Sequence, residues 1–137
     1  MAHVQKSAAA AHLLPATRIS LKSVEAGLPV ETMTSFVSAS GVEFKDLYDI
    51  VIPARTLKHR RSRKQALSSD ESDKLARLVR IFEQAVQVFG DREHARNWLN
   101  QPKQRFEQRT PLSMLRTDLG GRMVEEMLGQ IDAGMFA

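Results

Sequence analysis

One stretch constrains the fold before anything else does. After Ser68, the apolar residues Leu75, Leu78, Val79, Phe82, Ala85, Val86 and Phe89 recur at intervals of three and four. That spacing gathers side chains on one face of a helix with 3.6 residues per turn. Ser68 and Glu71 have the spacing of a capping box, in which the serine hydroxyl accepts from the third amide and the glutamate reaches back to the serine amide. Gly90 supplies a stop, because glycine adopts left-handed backbone at no steric cost. A helix of this length needs partners along its apolar stripe. Period-two alternation is rare elsewhere, and no Asn-Gly or Asp-Gly hairpin signal occurs. The partners are therefore helices, and the expected fold class is all-α.

The remaining helices follow from the same signals. Leu21, Val24 and Leu28 predict a short helix ending at Gly27 and Pro29. Pro29 suits the first turn of the next helix, where its missing N–H has no partner to lose. That helix runs to about Ser40, burying Met33, Phe36 and Val37, with Gly41 as its stop. Residues 43–50 predict a helix with Phe44, Leu47 and Ile50 inward. Val51-Ile52-Pro53 makes a tight turn, and a basic helix follows over residues 54–63. Beyond Gly90, Asp91 caps a short helix carrying Ala95, Trp98 and Leu99. Residues 100–109 have no periodicity and read as a loop. Thr110-Pro111 opens a helix with Leu112 and Leu115, and Thr117 caps a last one with Met123, Val124, Met127, Leu128 and Ile131 inward. The expected organisation is a mobile tail (1–18), a helix-turn-helix bundle (19–66) and a small C-terminal helical domain (67–137), with the boundary near residues 66–69.

Composition removes several function classes. With 137 residues, the chain makes one domain or two very small ones. It has no cysteine, so disulfides and thiolate metal sites are excluded, in keeping with a reducing cytoplasm. The longest apolar runs span a few residues, such as 50–52, which is too short for a membrane span. Residues 1–16 lack the apolar core of a secretory signal. The four histidines, at 3, 12, 59 and 94, form no HExxH, and no glycine-rich phosphate loop occurs. No serine or other nucleophile has a base beside it in the sequence, and Glu125-Glu126 reads as a solvated helix face. We expect no enzyme, no cofactor and no metal.

The charge is informative because of where it lies. The formal net charge is +4, yet Arg55, Lys58, Arg60, Arg61, Arg63 and Lys64 fall within ten residues that contain no acid; the rest of the chain carries −2. A local basic cluster on a mildly acidic chain is the footprint of a polyanion contact. Leu47, Ile50, Ile52 and Leu57 are spaced to hold two short helices across a tight turn, the requirement of a helix-turn-helix. The second helix then reads the major groove from its N-terminal residues, here Arg55, Thr56, Lys58 and His59. Arginine grips guanine with two hydrogen bonds, and lysine or threonine holds phosphates or base edges. Arg60, Arg61, Arg63 and Lys64 are expected on the phosphate backbone. Taking residues 43–50 as the reader instead puts Glu43, Asp46 and Asp49 against phosphate, so that register is rejected.

At the other end, Gly120-Gly121 interrupts a helical start and lets a partner's backbone approach Arg122. Met135 and Phe136 end the chain with apolar side chains suited to a partner. Gly120, Gly121, Arg122, Met135 and Phe136 are the candidate partner contacts.

These pieces occur together in a known family. Residues 52–61 (Ile-Pro-Ala-Arg-Thr-Leu-Lys-His-Arg-Arg) and 67–72 (Leu-Ser-Ser-Asp-Glu-Ser) resemble the Xre-like antitoxins. Residues 85–91, 95–99, 110–115 and 120–131 resemble the C-terminal domain of the MbcA/ParS/Xre antitoxins, so that the likeness covers about residues 20–135. The resemblance implies a bacterial type II toxin–antitoxin module. The partner it implies is a RES-domain toxin that consumes NAD, whose active site the antitoxin covers while repressing the shared operon through operator DNA. One helix-turn-helix reads a short half-site, so a homodimer or a larger complex with the toxin is expected on an inverted repeat. The alternative is a stand-alone transcription regulator that senses a partner or ligand through its C-terminal half.

Overall fold

The capping box at Ser68 closes as its spacing predicts: the Glu71 amide donates to Ser68 Oγ at 3.1 Å and the Ser68 amide to Glu71 Oε1 at 2.7 Å. The structure is a computed structural model that describes residues 19–135; the expected tail and Phe136 lie outside the described residues. Eight α-helices are present among them, with no strand. They are α1 (Leu21–Ala26), α2 (Glu31–Ser40), α3 (Phe44–Ile50), α4 (Ala54–Ser62), α5 (Ser69–Phe89), α6 (Arg92–Leu99), α7 (Pro111–Met114) and α8 (Asp118–Asp132). Asp91, Thr110 and Thr117 each accept the expected N-cap hydrogen bond, and Gly41 and Gly90 close α2 and α5 in left-handed backbone.

Several expectations need correction. Leu21 is 78% exposed and adds nothing to the core, whereas Leu28, beyond the end of α1, is buried. Pro29 stands one residue before the N-cap of α2 rather than in its first turn. Val37 and Phe44 are half-buried against the core. Residues 100–109 are no plain loop. A 3-10 turn, Gln104–Phe106, plants Phe106 in the core, and Lys103 and Arg109 pair as an antiparallel bridge. Glu107 and Gln108 turn the chain with φ of 56° and 67°. Met123, expected inward, is 38% exposed.

The long helix α5 organises everything else. Its Leu75, Leu78, Val79, Ile81, Phe82 and Ala85 are fully buried. Phe82 meets Phe36 of α2 edge to face, with ring centroids 5.6 Å apart, a favoured aromatic geometry. The Leu28 amide donates to the buried Ser72 Oγ at 2.8 Å, and the Leu67 amide to the Leu28 carbonyl at 2.9 Å. On the opposite side, Arg77 donates to the Leu115 carbonyl at 3.2 Å, and Arg80 pairs with Glu125 of α8 at 2.8 Å. From α6, Arg92 and Arg96 donate to the carbonyls of Ala39 and Ser40 at the end of α2. Residues 66–69 therefore interrupt the helices but not the core, which runs without a break from Leu28 to Leu128.

One α5 side chain fits this interior poorly. Glu83 Oε1 is buried with no hydrogen-bond partner, and burial pushes its carboxyl up to about 7. A carboxyl raised by folding contributes stability below its ordinary value near 4.5 that is lost as pH rises through about 7. Glu83→Gln should therefore stabilise the protein by about 1–2 kcal/mol at pH 8, after discounting for solvent screening. The gain should vanish at pH 4.5, where both side chains are neutral. Urea unfolding at the two pH values tests this; an equal gain at both would reject the assignment.

Candidate functional site

Helices α3 and α4 are held at a fixed angle by the residues between them. Leu47, Ile50, Ile52 and Leu57 are all buried. The amides of Val51 and Ile52 both donate to the Leu47 carbonyl, at 2.8 and 3.1 Å, which tightens the turn. Pro53 is extended, with ψ of 146°, and α4 starts at the next residue. With Leu57 anchored inward, the outer face of α4 presents Arg55, Lys58 and His59, joined by the half-buried Thr56. These four and Ser62 line a shallow groove of about 460 Å³. Among the described residues, Arg55 and Lys58 form no ion pair, so their charge is uncompensated at the surface. The structure thus brings together the four side chains expected to read bases.

The second group of cations divides. Arg61 lies over the Phe44 ring, 5.8 Å from its centroid, within the range of a cation–π contact. Arg63 and Lys64 are exposed, and Lys64 closes α4 with a φ of 54°. Arg60, expected on the phosphate backbone, instead turns inward. Its Nε and Nη2 donate to Glu71 Oε1 and Oε2, both at 3.3 Å, in a two-pronged pair. Burial alone would raise the Glu71 carboxyl, but the Ser68 amide and the Arg60 guanidinium hold it below its ordinary range. Arg60 ties α4 to the first turn of α5 because Glu71, already fixed by its cap, offers a preset acceptor eleven residues away.

At the C-terminal end, the two glycines are not an open approach for a partner. Gly120 and Gly121 are buried. A Cβ on Gly120 would lie 1.9 Å from the Met114 carbonyl oxygen, and one on Gly121 2.8 Å from Arg77 Cδ. The close approach they permit is to the chain's own α7 and α5. Arg122 is exposed and pairs with Asp118 at 2.9 Å. Met135 is 69% exposed, while Phe136 falls outside the described residues. The sequence reading missed Leu119, 69% exposed on α8 one turn before Met123. Its signal was an apolar residue off the Val124–Leu128 stripe.

Residues 20–80 match the family described as the Antitoxin Xre-like helix-turn-helix domain. Residues 84–134 match the Antitoxin Xre/MbcA/ParS C-terminal toxin-binding domain. A protein named Antitoxin Xre from Yersinia enterocolitica is 32% identical over 128 residues, 90% of this chain and 86% of its own length. The chain belongs to the Xre antitoxin family. A second Antitoxin Xre, from Photorhabdus laumondii, is 34% identical over 81% of this chain and 76% of its own. A third, from Pseudomonas putida, is 50% identical over 86 residues, 63% of this chain, and this chain spans only 54% of that relative's length. The family is therefore supported across both matched domains. A family of antitoxins points to a binding and regulatory role rather than to chemistry on a substrate. Among the described residues, no helix is long and apolar enough to cross a membrane.

Proposed function

We propose that the protein is the antitoxin of a type II toxin–antitoxin module, acting in the cytoplasm, that binds operator DNA through α4 and blocks a RES-type, NAD-consuming toxin through its C-terminal half. The observation that carries the reading is the uncompensated charge of Arg55 and Lys58, beside the exposed His59, on a helix-turn-helix joined to a toxin-binding domain. Arg55 grips a guanine, with Thr56, Lys58 and His59 on neighbouring base edges or phosphates. Arg61 and Arg63 hold the phosphate backbone, while Arg60 positions the helix. Arg122, Met135 and Phe136 face the toxin. Two copies, alone or within the toxin complex, engage an inverted repeat and repress the operon.

The test is co-expression with the adjacent open reading frame, which on this reading encodes a RES-domain toxin. Growth should recover and the two proteins should purify together. A footprint upstream of the pair should cover two half-sites, with affinity falling steeply as salt rises because counterions are released. Operator binding without any captured partner would instead favour a stand-alone regulator.

A further inference from the structure

We propose that the toxin seats across a ridge made by Leu119 and Met123 of α8, resting this on the antitoxin reading above. The two side chains stand four residues apart, on one face of the helix, and both are exposed. Met123 borders two concavities. One, of about 860 Å³, runs from Leu119 and Met123 past Arg109 and Arg116 to Tyr48 and Pro53 at the helix-turn-helix. The other, of about 210 Å³, lies between Met123 and the 3-10 turn, lined by Arg105 and Phe106. An apolar ridge between two depressions is a shape that an apolar pocket with raised walls can grip, and methionine adapts to the wall it meets.

The 3-10 segment that walls the smaller concavity is tied down by its own contacts. Phe106 is buried, the Lys103 amide donates to the Arg109 carbonyl at 3.0 Å, and the Gln108 amide to the Lys103 carbonyl at 2.9 Å. Glu107 and Gln108 hold left-handed backbone that side-chain-bearing residues seldom adopt. Such conformations persist where the surroundings over-determine them and cluster at binding surfaces.

The occupant's chemistry follows from charge. The two concavities are lined by four cations, Lys74, Arg105, Arg109 and Arg116, against two acids, Asp49 and Glu126. The pairs of Arg109 with Glu107 and Arg116 with Asp49 are exposed, so a partner's carboxylates exchange into them at little cost. The fitting partner is a protein with an apolar pocket rimmed by acidic residues. A phosphate backbone satisfies the cations but has nothing to place on Leu119 and Met123, and the ridge itself lies within the segment matched as toxin-binding. Because the larger concavity reaches Tyr48 and Pro53, the seated toxin touches the helix-turn-helix as well.

Calorimetric titration of the full chain with the purified RES-domain protein tests this. Leu119→Asp with Met123→Asp should weaken binding at least ~100-fold, as for a central apolar anchor, with thermal unfolding and operator affinity unchanged. The uncharged pair Leu119→Ala with Met123→Ala should give about a tenfold loss. Leu21→Asp, at an exposed apolar side chain on α1, should give none. Toxin affinity within threefold of wild type in both double variants overturns the ridge while leaving the antitoxin reading intact. No binding by the wild-type chain removes both. Loss of operator affinity with toxin affinity retained assigns the surface to DNA and overturns the proposal.

Discussion

Gly120→Ala is expected to cost about 3 kcal/mol or more of folding stability and to abolish toxin neutralisation. The added Cβ would lie 1.9 Å from the Met114 carbonyl oxygen and 3.0 Å from Thr117 Oγ1. Inserting a methyl group into a packed interior costs about 1–3 kcal/mol when side chains can yield. Here the obstacle is backbone, and it cannot yield alone. Moving it displaces the corner between α7 and α8, where Leu112, Leu115, Val124 and Leu128 are buried. It also pulls on the Leu115 carbonyl that receives Arg77. Gly129 is the control. Nothing lies within 4 Å of the position its Cβ would take, and it is exposed within the same helix. Gly129→Ala should stabilise by up to about 1 kcal/mol, the helix-propensity difference. Chemical denaturation of both variants decides the matter. A Gly120→Ala protein as stable as wild type would mean that α7 and α8 do not meet as described.

Replacing Arg55 and Lys58 together by alanine is expected to weaken operator binding by about 2–4 kcal/mol, roughly 30- to 1,000-fold. A two-pronged arginine–guanine contact is worth about 1–3 kcal/mol of discrimination, and a phosphate contact adds a salt-dependent share. Both side chains are exposed beside the buried Leu57, so the helix should keep its fold. Fluorescence anisotropy on the footprinted operator and on a scrambled duplex separates the two contributions. Arg55→Ala should hurt the operator more than the scrambled duplex, whereas Lys58→Ala should weaken both and flatten the salt dependence. Arg60→Ala should behave differently again, lowering stability by removing the tie to Glu71 and disturbing DNA only through the angle of α4. Unchanged operator affinity in the double variant would remove α4 as the reader.

What could be read from the sequence was whatever depends on neighbours in the chain. The capping box at Ser68, the stops at Gly41 and Gly90, the stripe on α5 and the spacing of Leu47, Ile50, Ile52 and Leu57 are all local, and each appears where expected. The direction of Arg60 was not legible, because its environment is made by Glu71 on another helix. The two glycines looked like an opening for a partner, since a sequence shows that backbone can come close but not what comes close to it; here it is Met114. Met123 fits a 3-4 pattern with Met127, yet the buried face of α8 is centred on Val124 and Leu128, which leaves Met123 at its outer edge. Residues 100–109 carry no periodicity because their order comes from a bridge and one buried phenylalanine.

The sharing of α5 limits how such proteins diversify. Its stripe receives Phe36 from the helix-turn-helix end, while its other side carries Arg77 and Arg80 to the corner and helix at the opposite end. A recombination event within or just before this helix would join two surfaces that had never been fitted to each other, and the hybrid would begin life with mismatched packing along some 30 Å of helix. Descendants that acquire a new toxin or a new operator are therefore expected to do so by point substitution at the exposed ends, with the α5 spine inherited whole.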